Sequence, residues 1–360
     1  MKTAVVVDQL TGYGGAEKVA LVLAEVFNAD VWTTTYIPGD TFQEFKVFKI
    51  YSHPSKSFQL SNRLNKPNIF WQGLIQAEEI YRFRRMDLSQ YDMIISSGTY
   101  PKHISVKSKS RPCIYYAHGV KEYYRLEGLF KPWIWYIKKL DYKATLSFDK
   151  VVCNSENIKN KIKRYYHCDA DVKYPPVDIS RFKYGEPGDY FFSVQRISPD
   201  KQIETQIEAF RLAPEQKLII AGAVAKSDEP YLHKLMRTAP PNVTYRGTVT
   251  DKELAELYSH AKAVIQSHPH EDFGIVPVEA MASGKPCLAI NSDGFKETIV
   301  QGKTGILVDP PYIENLAKAI KGFDSKTFNP LDCQAQARKF SKKSFMEKIN
   351  QIVTGLQTRR

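Results

Sequence analysis

The chain has 360 residues, 43% of them apolar, and 51 Lys and Arg against 39 Asp and Glu give a formal charge of +12. That length allows two domains with separate cores, and the composition excludes a disordered chain. No run of 18 apolar residues is present to span a bilayer, the N-terminus meets charge too early for a secretory leader, and five scattered cysteines (113, 153, 168, 287, 333) form no C-x-x-C, which argues for reduced thiols in a cytoplasmic protein and against a disulfide framework or zinc site.

Residues 4–7 form a short apolar run, followed by Asp8-Gln-Leu-Thr-Gly12-Tyr-Gly14-Gly15-Ala16-Glu17 and an amphipathic helix expected over 16–27. Glycines between a first strand and its helix let backbone approach a ligand closely. Their spacing is not G-x-G-x-x-G, and no acid sits where a dinucleotide ribose would need one, so a nicotinamide cofactor is excluded. Packing alone explains Gly12 equally well. Strand-like runs follow at 31–34, 93–96, 113–116 and 150–153. After the third of these comes Tyr116-Ala-His118-Gly119, a histidine at the C-terminal edge of a strand. Residues 126–143 interleave Phe130, Trp133, Trp135 and Tyr136 with lysines, a pattern open to a membrane-surface helix or to a core-facing aromatic stripe. A basic helix over 157–166 leads to Asp169-Ala-Asp171, which spells D-x-D but lacks phosphate-site features and reads as a loop with two solvated acids.

This alternation of strands and helices predicts parallel sheets covered by helices. Pro175-Pro176 interrupts it, because a double proline continues neither a helix nor a central strand, and places a domain junction within 175–185. The rhythm resumes at 190–196, where a strand ends near Gln195, and continues with strands at 217–221, 243–246, 263–266 and 286–290. Arg196 and Lys201 fall on the loop between that first strand and a helix carrying Ile203, Ile207 and Phe210. Open α/β sheets bind ligands at that edge, and two cations there suit a diphosphate whose charge grows as it leaves. Ordinary solvated loop charges are the plainer alternative. Arg246-Gly-Thr-Val249 follows a strand and opens a helix with Thr250 or Asp251 as N-cap. Residues 334–352 read as one last helix.

The most informative stretch is His268-Pro-His-Glu271-Asp-Phe273-Gly274-Ile275-Val276-Pro277-Val-Glu279-Ala-Met-Ala-Ser-Gly284-Lys-Pro286. It reads as strand, loop and helix, with Pro277 at the first helical position and Gly284 ending the helix. The N–H groups of Gly274, Ile275 and Val276, with the helix dipole behind them, suit a pyrophosphate. Glu271 and Glu279 would repel a phosphate but accept hydrogen bonds from hydroxyls, so a sugar and a ribose flanking a diphosphate fit them. Glu279 as a plain first-turn acid remains the alternative.

The wording E-D-F-G-I-V-P-V-E-A-M-A-S-G-K-P resembles the signature of retaining glycosyltransferases of GT-B fold, the glycosyl transferases group 1 family, and the likeness runs through nearly the whole chain. It implies an α/β protein of two Rossmann-like domains with parallel sheets facing a central cleft: an acceptor-side domain over 1–178, a nucleotide-sugar domain over 179–339, and a C-terminal helix over 340–360 packing back on the first. The family's R-x4-K motif falls on Arg196 and Lys201, which would bind the departing diphosphate. Glu271 would hold the sugar and Glu279 the ribose, with Phe273, Gly274, Ile275 and Val276 forming the loop around them. Val249 would pack on the base, Gly14 and Gly15 would border donor phosphates and acceptor, and His118 would contact the transferred sugar without acting as nucleophile. Together G-G-A-E-K, Y-P-P-V-D and E-D-F-G-I-V-P-V-E-A look most like bacterial and archaeal mannosyltransferases that use GDP-mannose.

The resemblance thus implies retaining hexosyl transfer, mannose foremost, to a glycan or lipid-linked saccharide, with no cofactor and no metal. UDP- or ADP-hexose donors are the competing donors, a nucleotide-sugar epimerase of the same fold is a competing enzyme, and a silent binding protein would have lost His118 or a glutamate. Residues 1–178 carry 26 basic against 18 acidic side chains and residues 179–360 carry 25 against 21, differences of +8 and +4. The more basic first half fits a lipid-diphosphate acceptor and a peripheral place at the cytoplasmic membrane face. Nothing resembles a nucleic-acid-reading module.

Overall fold

The computed structural model describes residues 1–53, 69–104, 111–120 and 131–358, with backbone alone at 69–72 and 131–134. It divides into two compact units, Met1–Pro176 with Phe345–Arg360, and Val177–Ser344. The division falls directly after Pro175-Pro176.

In the first unit β1 (Thr3–Val7), β3 (Asp30–Thr33), β5 (Ile50–Ser52), β6 (Met93–Ser97), β7 (Cys113–Ala117), β8 (Lys150–Cys153) and β9 (Asp171–Val172) form one sheet in the order β5-β3-β1-β6-β7-β8-β9. Every pairing in it is parallel. A small parallel pair, β2 (Gln9–Leu10) and β4 (Thr35–Tyr36), sits beside it. All five residues of β1 are buried, which is why residues 4–7 are a continuous apolar run instead of an alternating one. Helix α1 (Gly15–Phe27) buries Val19 to Ala24 and stops at Asn28, whose left-handed φ of 44° lets the Ala29 N–H reach back to the Ala24 carbonyl. Helices α2 (Ile69–Arg84), α3 (Lys131–Thr145) and α4 (Glu156–Tyr166) complete the described cover. Leu126 to Phe130 lie outside the described residues, as does the side chain of Trp133; Trp135 and Tyr136 are exposed.

Asp171 departs from the loop expected of it. It begins edge strand β9, and its carboxylate pairs with Lys150 at 2.7 Å, an ion pair that holds the strand instead of a metal. Among the described residues no group of three or more His, Cys, Asp or Glu could hold a metal ion, and no helix is long and apolar enough to cross a membrane.

The second unit holds β10 (Tyr190–Val194), β11 (Lys217–Ala221), β12 (Val243–Tyr245), β13 (Ala263–Gln266), β14 (Cys287–Ile290) and β15 (Gly305–Val308), all parallel, in the order β12-β11-β10-β13-β14-β15. Helices α5 (Ile203–Arg211), α6 (Glu229–Thr238), α7 (Asp251–His260), α8 (Ile275–Ala282), α9 (Phe295–Thr298), α10 (Ile313–Lys321) and α11 (Pro330–Arg338) connect and cover the strands. Each sheet grows one way from its first strand and then reverses, at β1/β6 in the first unit and at β10/β13 in the second. Between the C-terminal ends of such strands the loops diverge and leave a crevice.

The last helical stretch is two helices, not one. Helix α11 ends at Arg338, and α12 (Lys342–Gln357) starts afresh. Between them the chain pairs with Val177: the Val177 N–H donates to the Phe340 carbonyl at 2.9 Å and the Lys342 N–H to the Val177 carbonyl at 3.1 Å. Those bonds take backbone groups that a continuous helix would need. Helix α12 buries Phe345, Ile349 and Val353, spaced four apart on one face, in the core of the first unit, with Phe345 edge-on to Tyr116 at 5.9 Å.

Candidate active site

In the second unit the loops leaving β10 and β13 are tied together. The Gln266 side chain donates to the Val194 carbonyl at 3.4 Å and Ser267 Oγ to the Gln202 carbonyl at 3.2 Å. Between those ties sit three side chains. Lys201 Nζ lies 3.3 Å from Glu271 Oε2 and 3.2 Å from His268 Nε2, and His268 Nε2 lies 2.6 Å from the same Oε2. Burial alone would raise the Glu271 carboxyl, but the His268 bond and the Lys201 charge outweigh it and bring it down to about 2. Glu271 is therefore a held, ionised acceptor.

Arg196, the other expected cation, leaves the same strand but points elsewhere. It is exposed, with its guanidinium 3.3 Å from both Ser198 Oγ and Asp200 Oδ2. Only Lys201 of the R-x4-K pair joins Glu271; Arg196 is held at the rim by an exchangeable ion pair.

Helix α8 begins at Ile275, two residues before the start expected from Pro277, which is its third residue. The reason is Gly274: its φ of 90° and ψ of 71° turn the chain sharply enough to start the helix there. A Cβ at that position would also lie 3.2 Å from the Phe295 ring. Proline remains acceptable at the third place because the first four N–H groups of a helix have no partner inside it. Among the described residues the N–H groups of Gly274, Ile275 and Val276 make no backbone hydrogen bond outside the helix, so they stay available to an anion. Phe273 faces inward, buried and edge-on to Phe340 at 5.4 Å, and so anchors the loop from below. The helix ends as expected at Gly284, with φ of 70°.

Glu279, one turn into α8, accepts a hydrogen bond from the buried Tyr258 hydroxyl at 2.6 Å. Burial raises its carboxyl pKa, while the Tyr258 bond and the Arg181 charge oppose that rise. One oxygen is thus committed to Tyr258. Val249 is half-buried on the loop after β12, next to the capping box that Thr250 and Glu253 make at the start of α7.

The first unit repeats the arrangement with different chemistry. His118 follows β7, and its Nε2 lies 2.9 Å from Ser97 Oγ at the end of β6; its carbonyl accepts from Asn154 Nδ2 at 2.9 Å. Burial lowers the imidazole to about 4, so the ring is neutral at pH 7. A cavity of about 220 Å³ opens at the same edge, lined by Asp8, Thr11, Glu17 and Ser97 among others. Asp8 is fixed by the N–H groups of Thr99 and Tyr100, at 2.7 and 2.8 Å. Gly14 caps α1 and Gly15 begins it; a Cβ on Gly14 would come within 2.5 Å of a Glu17 carboxylate oxygen. Burial and the nearby Asp8 raise the Glu17 carboxyl.

Sequence reading had not singled out His268, Tyr258, Ser97 or Glu17 as site residues. His268 and Glu17 lay within motifs already in view, three residues from Glu271 and three from Gly14. Tyr258 and Ser97 carry no local signal, since their partners are 21 residues away.

Two parallel α/β sheets each offer ligand groups at their switch point, with a lysine–carboxylate pair before a helix N-terminus in the second, an arrangement that suits a two-domain glycosyltransferase. Comparisons with known proteins agree. The family model "Glycosyl transferases group 1" matches residues 177–340, and "Glycosyltransferase Family 4" matches residues 13–181. Human alpha-1,3/1,6-mannosyltransferase ALG2 is 25% identical over 402 aligned residues, covering 96% of this chain and 94% of that protein. A mouse protein described as GDP-Man:Man(3)GlcNAc(2)-PP-Dol alpha-1,2-mannosyltransferase is 27% identical over 215 residues, covering 53% of this chain and 42% of that one. In structure, Anabaena Alr3699/HepE, solved in complex with UDP, superposes with a TM-score of 0.76 at 18% identity, covering 99% of this chain and all of that one. The chain belongs to the GT-B-fold glycosyltransferases, with a group 1 transferase domain as its second unit.

Proposed function

We propose that the protein is a retaining, metal-independent mannosyltransferase that takes mannose from GDP-mannose to a hydroxyl of a glycan or lipid-linked saccharide. The observation that carries this reading is the Lys201–Glu271 pair, 3.3 Å apart, on the loops that meet in the β10/β13 crevice, where α8 begins. Diphosphate charge meets Lys201, Arg196 and the N–H groups of Gly274, Ile275 and Val276. Glu271 holds hydroxyls of the sugar and Glu279 those of the ribose. Mannose and its guanosine carrier are favoured by the relation to human ALG2 over nearly the whole chain and by the GDP-Man in the mouse relative's name.

In the reaction, the acceptor oxygen bonds to the anomeric carbon on the face from which the diphosphate departs. The bond from that carbon to the phosphate oxygen breaks, the acceptor proton passes to the leaving diphosphate, and GDP is released. Cations already aimed at the growing charge lower the barrier without reorganising solvent. On the first unit the reading has Gly14 and Gly15 border the donor phosphates and the acceptor, and neutral His118 contact the transferred sugar. A basic first half and exposed Trp135 and Tyr136 support peripheral contact with a membrane that carries the acceptor.

Thermal-shift titration with GDP-mannose, UDP-glucose and ADP-glucose, in EDTA, tests donor and metal together, because at equal concentration a ligand that binds only the fold stabilises it more the lower its Kd. The expected result is the largest shift with GDP-mannose, unchanged by EDTA. A larger shift with UDP- or ADP-glucose, or a requirement for manganese or magnesium, overturns the reading.

A further inference from the structure

We propose that His268 is a positioning residue: it fixes one oxygen of Glu271 so that the other is presented to a hydroxyl of the transferred sugar. The proposal rests on the donor assignment above and adds to it a group with no assigned role.

His268 is 2% exposed, its ring edge-on to fully buried Phe295 at 5.2 Å between ring centres. A buried position of that kind ordinarily favours an apolar side chain. The imidazole there leaves Nδ1 buried and without a hydrogen-bond partner among the described residues, an arrangement that costs free energy. What it gains is on the other nitrogen, where Nε2 meets Glu271 Oε2 at 2.6 Å. An ionised carboxylate only accepts, so a proton must sit on Nε2. Lys201 Nζ, 3.2 Å from Nε2, then cannot donate to the ring and directs its proton to the same Oε2 at 3.3 Å. Both donors converge on one oxygen. Oε1 takes no hydrogen bond from the described residues, and is the oxygen left for substrate.

Lysine alone would not fix that choice. Its ammonium sits on a flexible stem and, on the donor assignment above, is also called on by the diphosphate. The histidine, short and packed against Phe295, keeps Glu271 in place whichever partner the lysine takes. A buried donor that locks the carboxylate touching the sugar holds the reacting centre within the narrow tolerance that positioning requires.

The test uses the full chain with GDP-mannose as probe and GDP release in the absence of acceptor as readout. His268→Leu keeps the volume and removes the donor; His268→Gln places an amide N–H near the position of Nε2. Losing a hydrogen bond to a charged group should lower kcat roughly tenfold to hundredfold in His268→Leu, with the Kd for free GDP within about twofold of wild type. His268→Gln should recover most of the loss at matched Tm, and His268→Leu should have no further effect in a Glu271→Ala background. The proposal is overturned if His268→Leu turns over normally, if His268→Gln is as impaired as His268→Leu, if the loss is undiminished without Glu271, or if GDP affinity falls in step with kcat. Nitrogen-15 NMR of the imidazole supplies an arm independent of turnover: the proton is expected on Nε2, and Glu271→Ala should shift that resonance. An Nε2 without a proton overturns the proposal whatever the activity. GDP-mannose left intact by wild type, with the proton on Nε2, refutes the donor assignment while the positioning geometry stands.

Discussion

Replacing Lys201 with Met removes one charge and nearly nothing else, so its consequences can be worked from the structure. The pair it breaks is 3.3 Å long, with side chains 23% and 25% exposed. At that distance two unit charges attract by about 5 kcal/mol at an effective dielectric of about 20. Desolvation and the lost freedom of the lysine offset most of this, leaving a net of about 1–2 kcal/mol. For a domain of this size that is a fall of about 2–8 °C in Tm. Catalysis should suffer more, because the ammonium also meets the leaving diphosphate: kcat/KM for GDP-mannose should drop about 10²- to 10³-fold. The pH dependence follows from Glu271, whose carboxyl is drawn down to about 2, chiefly by His268 and Lys201 against the opposing effect of burial. A carboxyl lowered in the fold stabilises it above its unfolded pKa, and that stability is lost as pH falls through the folded value. The Tm difference between wild type and Lys201→Met should therefore be full at pH 7 and smaller at pH 3. Steady-state kinetics and differential scanning fluorimetry at both pH values read all three quantities. Near-wild-type turnover, or a Tm gap equal at the two pH values, would refute the reasoning.

The two glutamates should separate. Glu279→Ala should weaken free GDP about tenfold or more, the scale of a charged hydrogen bond, whereas Glu271→Ala should leave GDP affinity nearly intact and collapse turnover; calorimetric titration of both variants with GDP decides this, and equal weakening contradicts the roles. His118, lowered to about 4 by burial, should stay neutral to well below pH 6, so no loss of activity should track an imidazole titrating near 6.5. The same shift carries a stability sign: a histidine kept neutral in the fold costs stability as pH falls from its unfolded pKa toward 4, and His118→Asn should flatten that part of the Tm–pH curve. Phe345→Ala should cost about 3–5 kcal/mol, since the ring is buried in the first unit's core; chemical denaturation with unchanged midpoint would show that α12 is not part of that core.

What could be read from the sequence was local. The apolar run at β1 is legible because a strand buried on both faces has no polar residue to alternate with. The Gly274 turn and Gly284 stop are legible because only glycine adopts those angles at little cost. Contacts between distant segments were not. Nothing near Arg338 says that the helix must stop, because the cause is Val177, brought alongside by the fold. Pro277 misdirected the helix start because proline is tolerated anywhere in the first turn, and Gly274 set the boundary instead. Within the site, Lys201 and Glu271 were each legible through the family wording, one as a diphosphate cation beside Arg196 and the other as a sugar acceptor, whereas their 3.3 Å contact comes from strands β10 and β13 being neighbours. Asp171 looked like a loop acid because a two-residue edge strand has no periodicity to detect.

The central claim is retaining transfer from GDP-mannose, and the products of its slow hydrolysis test it most directly. Protein held in EDTA with GDP-mannose should release GDP faster than it releases nucleotide from UDP-glucose or ADP-glucose, and proton NMR during the first minutes should show α-mannose before it equilibrates to the anomeric mixture. First-formed β-mannose would contradict the same-face mechanism. No GDP release above that of protein inactivated by heat, alongside turnover of another sugar nucleotide, would contradict the donor.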